Sequence, residues 1–246
     1  MDSIDMVNII GIKKLKQKKY ETLQGLPSEI TRSFGDFSPC IRMLIWGESG
    51  NGKTSLMLRI LKTLAPHGRT LYISLEEGHE LSMQRNVRQQ LPEIEHGIDF
   101  GDHTVTLGEL RKLLDKQRSY QFVIIDSVQY WRIKEEQYFR LSKDYPRKGF
   151  VFLSHADGKR PKGSVADAIR YDAGIKIRVE GYIAFVISRY GGNLPLVVWE
   201  KGARTYWGGD YEKITKGLVA KPEKPAKTKT KPKAAHEEIP FDQPQL

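Results

Sequence analysis

The stretch Gly47-Glu48-Ser49-Gly50-Asn51-Gly52-Lys53-Thr54 constrains the fold more than any other part of this chain. It has the spacing of a phosphate-binding loop. An apolar segment, 41–46, precedes it and reads as a strand, while 55–62 follows with the periodicity of an amphipathic helix. Strand, glycine-rich turn and helix in that order bring backbone N–H groups and a helix N-terminus to one point, where an anion is stabilised. Glycine lets the main chain curl around that anion. Lys53 is placed to reach the β- and γ-phosphates and Thr54 to ligate Mg²⁺, with Gly47, Glu48, Ser49, Gly50, Asn51, Gly52 and Ser55 completing the cradle. The chain is therefore expected to bind a nucleoside triphosphate with Mg²⁺.

Further apolar runs end in polar residues, as strands do where they deliver side chains to a ligand. Phe122-Val123-Ile124-Ile125 ends in Asp126, a second candidate for supporting the metal. Thr70–Leu75 ends in Glu76-Glu77. Glu76 could position an attacking water, or the pair could simply face a helix dipole. Gly149–Ser154 ends in His155, which could sense the γ-phosphate or serve as a structural histidine. A basic loop, 156–164, follows it, and Lys159, Arg160 and Lys162 could neutralise nucleic-acid phosphates. Tyr130-Trp131-Arg132 sets aromatics beside a cation, as in single-strand binding sites; burial of the rings is the alternative. Arg189 stands after an apolar strand and before Gly191-Gly192, where it could reach the nucleotide of a neighbouring subunit.

Alternation of strand candidates (41–46, 70–74, 121–126, 149–154, 174–179, 182–188, 195–200) with helix candidates (53–65, 79–91, 107–118, 134–144, 164–171) predicts an α/β fold. A mostly parallel twisted sheet would be flanked by helices. The last three strands lack helical spacing, which predicts an antiparallel edge. Ser28 is expected to cap a short helix. Residues 1–24 read as a basic lead-in with a helix near 13–23, residues 25–212 as the core, and 213–246 as a disordered Lys/Pro-rich tail. Forty basic against thirty acidic residues give a net charge of +10, which suits a polyanionic partner. A single cysteine, Cys40, excludes a disulfide framework and a cysteine-rich zinc site. With neither a signal peptide nor a long apolar run, a soluble cytoplasmic protein without membrane association is expected.

Taken in order, these motifs resemble the RecA-like P-loop ATPase core, and most closely that of the bacterial RadA (Sms) recombination ATPases. The resemblance covers about residues 25–200. It rests on Gly25-Leu26-Pro27, the phosphate loop, Leu71–Glu77, Ile125–Gln129, Ser154-His155 and Arg189-Tyr190-Gly191. It implies that Glu76 polarises the attacking water, that Asp126 supports magnesium, and that the loop after His155 contacts DNA. It departs from RadA in lacking a zinc ribbon and in having Ile187 where that family has a lysine. A minimal core of the kind carried by phages or mobile elements is the resulting expectation, and DnaB-type helicase cores share the layout.

Glu237-Glu238-Ile239-Pro240-Phe241 resembles the acidic tip of bacterial single-stranded-DNA-binding proteins, which implies a replication or repair protein as a partner; an incidental motif is the alternative. Three functions stay open. The first is an ATPase that couples hydrolysis to single-stranded DNA in recombination, repair or replication, acting as a homo-oligomeric ring or filament. The second is a nucleotide-gated loader or adaptor, and the third a metabolite kinase.

Overall fold

The computed structural model describes residues 9–216. The tail motif 237–241 and most of the segment 213–246 lie outside them. Nine strands form one sheet. In chain order they are β1 (Arg42–Gly47), β2 (Thr70–Ser74), β3 (Ile98–Gly101), β4 (Phe122–Asp126), β5 (Gly149–Asp157), β6 (Arg160–Pro161), β7 (Ile175–Glu180), β8 (Ile183–Ser188) and β9 (Leu196–Val197). Their spatial order is β3-β2-β4-β5-β1-β7-β8-β9, with β6 paired to the end of β5. From β3 to β7 the pairing is parallel, and β8 and β9 run antiparallel, as the missing helical spacing predicts.

The helices are α1 (Ile12–Gln17), α2 (Ser28–Phe34), α3 (Lys53–Leu64), α4 (Leu81–Gln90), α5 (Leu107–Leu114), α6 (Val128–Trp131), α7 (Glu135–Asp144), α8 (Ser164–Asp172), α9 (Glu200–Trp207) and α10 (Tyr211–Thr215). They cover both faces of the sheet, so the central strands are apolar on both sides and read as continuous runs. Alternate residues of β1 serve different cores. Met43 and Ile45 pack with α2 and α3 through Ile30, Phe34, Leu56, Ile60 and Leu61. Leu44 and Trp46 pack with α5, α7 and α8 through Leu110, Tyr138, Leu141 and Ile169. Each layer buries its own apolar stripe, which fixes the strand register because a one-residue slip would exchange the two faces. Among the described residues no helix is long and apolar enough to cross a membrane.

Four local expectations are corrected. Ser28 is the first residue of α2 rather than its cap; Pro27 precedes it in extended geometry, and its carbonyl accepts from the N–H groups of Ile30 and Thr31. The strand expected at 195–200 pairs for two residues only, and the chain then turns into α9, whose Ala203 joins a small third core with Ile183 and Tyr211. The segment 156–164 is no open loop: β5 runs on to Asp157 and folds back as a hairpin, pairing Ala156 with Pro161 and Asp157 with Arg160. The lead-in helix spans only Ile12–Gln17 and buries no residue, so nothing stabilises a longer one.

Candidate nucleotide site

The phosphate loop leaves β1 at the carboxyl edge of the sheet and enters α3 at Lys53. Gly52, the cap of α3, has φ +96°, a conformation in which a side chain is strained, and a Cβ there would also lie 3.1 Å from the Tyr182 ring. Asn51 ties the loop to the β7–β8 turn. Its side-chain oxygen accepts from Gly181 N–H at 2.6 Å, and its carbonyl accepts from Tyr182 N–H at 3.2 Å.

The neighbouring strands end at the same edge. Ser49, Gly50, Gly52, Lys53, Thr54, Ser55, Glu76, Glu77, Asp126 and His155 line one open cleft of about 300 Å³, together with Tyr182. Lys53, Thr54, Glu76, Asp126 and His155 are therefore in one place, while Gly47, Glu48 and Asn51 line the adjoining hollow and Arg189 lies outside. The cleft residues come from the ends of β1, β2, β4 and β5, spread over more than a hundred residues of sequence. Lys53 Nζ folds back to donate to the Glu48 carbonyl at 2.9 Å. Burial lowers its pKa, while Asp126, Glu76 and Glu48 act in the opposite direction.

Asp126 sits deepest. Burial drives its carboxyl up to about 6, opposed by the hydrogen bond that Tyr72 Oη donates to its Oδ2 at 2.6 Å. Glu76 and Glu77 raise it further and Lys53 lowers it. The peptide bond from Asp126 to Ser127 is cis. Glu76 is exposed to the cleft and lies 3.4 Å from His155 Nε2. Glu77 accepts from Ser82 Oγ at 3.0 Å, at the start of α4.

A hard cation fits this donor set. Thr54 and Asp126 offer oxygen ligands, and one Asp126 oxygen is not engaged by Tyr72. Among the described residues no cluster of three His, Cys, Asp or Glu side chains forms a metal cage.

Around the cleft, Lys159, Arg160 and Lys162 are exposed on the β5–β6 hairpin, and Arg132 is exposed after α6. Trp131 is not available for stacking on a base, because it is only 7% exposed and packs in the α5–α8 core. Its burial follows from α6, a single turn laid against the sheet, which leaves Tyr130 as the exposed ring instead. Arg189 is exposed outside the cleft and donates to the Tyr171 carbonyl at 3.1 Å. Tyr182 is the lining residue that sequence reasoning missed. It lies in a strand candidate, and only the β7–β8 turn, with Tyr182 at φ +60°, carries its ring to the phosphate loop.

The sequence profile of a family described as an AAA domain matches residues 40–143, which span the phosphate loop, Glu76 and Asp126. No curated protein matches the chain. Among solved structures it is similar to a KaiC-like protein from the hyperthermophilic archaeon Pyrococcus horikoshii. The TM-score is 0.51 and the identity 18%, over 70% of this chain and 88% of that one. It is also similar to the flagellar accessory protein FlaH of Methanocaldococcus jannaschii, with a TM-score of 0.49 and 16% identity, over 70% of this chain and 89% of that one. Fold and site agree: the chain has a RecA-like P-loop ATPase fold, with its phosphate loop and acidic strand ends gathered at one edge of the sheet.

Proposed function

We propose that this chain is a Mg²⁺-dependent ATPase that couples hydrolysis to single-stranded DNA, in the manner of the RadA-type recombination and repair ATPases. The observation that carries the reading is the convergence of Lys53, Thr54, Glu76, Asp126 and His155 on one cleft, with a basic hairpin springing from the His155 strand. The backbone of the loop and the α3 N-terminus hold the phosphates, and Lys53 neutralises charge on the β- and γ-oxygens. Thr54 and Asp126 would hold Mg²⁺, which when bound offsets charge on the same oxygens. Glu76, steadied by His155, orients a water toward the γ-phosphorus and accepts its proton as the bond forms. Phosphate and ADP are the products. Tyr182, whose ring lines the cleft beside Gly52, takes the nucleoside end.

Lys159, Arg160, Lys162 and Arg132 supply phosphate contacts for a DNA strand and Tyr130 a ring for its bases. Arg189 completes the site of a second copy, which makes a ring or filament the working form. A replication or repair protein recruited through residues 237–241 is compatible with this role.

The test is ATP turnover with and without single-stranded DNA. Wild type is expected to hydrolyse ATP faster when DNA is added, and Lys53→Ala to lose at least a hundredfold in rate. A wild-type rate indifferent to DNA would remove the coupling. Phosphate transfer to a small molecule without DNA binding would make the chain a kinase.

A further inference from the structure

One uncharged side chain joins the cleft to the basic hairpin. Gln129 lies in α6, just past the Asp126 strand end. Its amide oxygen accepts from the His155 backbone N–H at 3.2 Å. Its amide nitrogen donates to Ser154 Oγ at 2.8 Å and to the Lys162 carbonyl at 2.6 Å. Ser154 Oγ donates on to the His155 carbonyl at 2.8 Å, and Lys162 N–H donates to that same carbonyl at 2.9 Å. The network admits one orientation of the amide, because a flip would set donor against the His155 N–H and acceptor against the Lys162 carbonyl.

Pro161 is buried and Ala156 packs against the second core, while the tip, 157–160, is exposed. The pairing of β5 with β1 ends at Gly47 and His155, so Ala156 and Asp157 pair only with β6. Beyond that point, among the described residues, one further hydrogen bond from outside reaches its tip: Trp46 Nε1 donates to the Lys159 carbonyl at 3.1 Å. The His155 imidazole meets Glu76 at the cleft, while its main chain is the anchor of both the Gln129 bridge and the hairpin's return arm. A movement of the His155 main chain on nucleotide binding would therefore be carried into the bridge.

We infer that Gln129 is a positioning residue that makes the placement of the 156–162 hairpin depend on what occupies the cleft, so that the Lys159, Arg160 and Lys162 charges are presented to a polyanion in one nucleotide state and withdrawn in the other. The identity of the polyanion rests on the DNA-coupled reading above; the relay itself does not. One exchanged hydrogen bond is enough to bias such an element by up to about tenfold.

The experiment is backbone hydrogen exchange over 156–162 on the full chain, with Mg²⁺ and a slowly hydrolysed ATP analogue or without nucleotide. Wild type is compared with Gln129→Glu and Gln129→Met. Glutamate keeps an acceptor for His155 N–H and loses the donor to Lys162; methionine keeps the volume and loses both. Wild type should show at least a roughly fivefold nucleotide-dependent change in exchange. Both variants should bind the analogue within about twofold of wild type and show no such change. A merely structural residue would not remove the nucleotide dependence while sparing affinity. Variants that respond like wild type would overturn the relay, as would a wild-type hairpin blind to nucleotide. Loss of nucleotide binding in both variants would assign Gln129 to the shape of the cleft and overturn it too. If the exchange results hold but single-stranded DNA leaves wild-type turnover unchanged, the relay stands and the DNA reading falls.

Discussion

At Asp126 the needs of folding and of chemistry conflict. Its carboxyl is held at about 6 against an ordinary 3.8, chiefly because burial disfavours the charge. A raised carboxyl favours the protonated folded state, so this contribution to stability is complete below about pH 3.8 and lost as pH rises through about 6. At neutral pH, without a cation, a carboxyl held at about 6 costs stability on the order of a few kcal/mol. Asp126→Asn, which keeps an acceptor for Tyr72, is expected to raise the thermal midpoint by several degrees at pH 7.5 in chelator. The gain should shrink at pH 4.5, and ATP turnover should be lost. An equal gain at both pH values would refute the burial account. Tyr72→Phe removes the donor that orients this carboxylate, and the Mg²⁺ concentration for half-maximal turnover should rise several-fold, with little change in the affinity for ATP alone. Asp126 was legible in the sequence as the end of an apolar run. Tyr72 was not, because nothing in the run 70–75 marks which of its residues points at the neighbouring strand's carboxylate.

Among the elements, α7 shows how a strand end secures the layer behind the site. The Arg42 guanidinium donates to the Ser142, Tyr145 and Lys148 carbonyls and to Ser142 Oγ, and it lies 4.8 Å from the centre of the Phe150 ring. Burial lowers its pKa, and its acceptors are mainly main-chain carbonyls, those of Ser142 and Tyr145 lying at the end of α7. Removing it takes this donor from the Ser142 and Lys148 carbonyls, while the Tyr145 carbonyl keeps the N–H of Lys148. Arg42→Met is expected to cost about 3 kcal/mol in denaturant unfolding, with nucleotide affinity of the folded protein unchanged. The β5–β6 hairpin belongs to the same scale. Alanine at Lys159, Arg160 and Lys162 together should weaken single-strand binding and flatten its slope against salt by about two. An unchanged slope would take these residues out of the interface. Pattern located the long elements well, since their apolar periods are strong. It failed for β3, four residues at the sheet's edge with Asp99 among them, and for α9. There the run 196–199 reads as strand, and Gly202 weakens the helical signal. Gly202 is needed because a Cβ would fall 2.3 Å from the Trp199 ring.

For the whole molecule, the question is how many chains make one site. Arg189 lies outside its own cleft, so its proposed role requires a second copy. Mixing Arg189→Ala with Lys53→Ala should restore turnover above either variant alone, because one supplies an intact cleft and the other the arginine. No rescue at any ratio would confine the site to a single chain. The phosphate loop, the apolar strands with polar ends and the antiparallel edge were determined by sequence alone, because each rests on local backbone chemistry or on the period of side chains along one element. Tertiary structure alone decided that Glu76 meets His155, that Trp131 is buried while Tyr130 is exposed, that Tyr182 faces the phosphate loop, and that Gln129 spans His155 and Lys162. Those facts depend on strand order and register across the sheet, which bring together residues far apart in the chain and which no local pattern encodes.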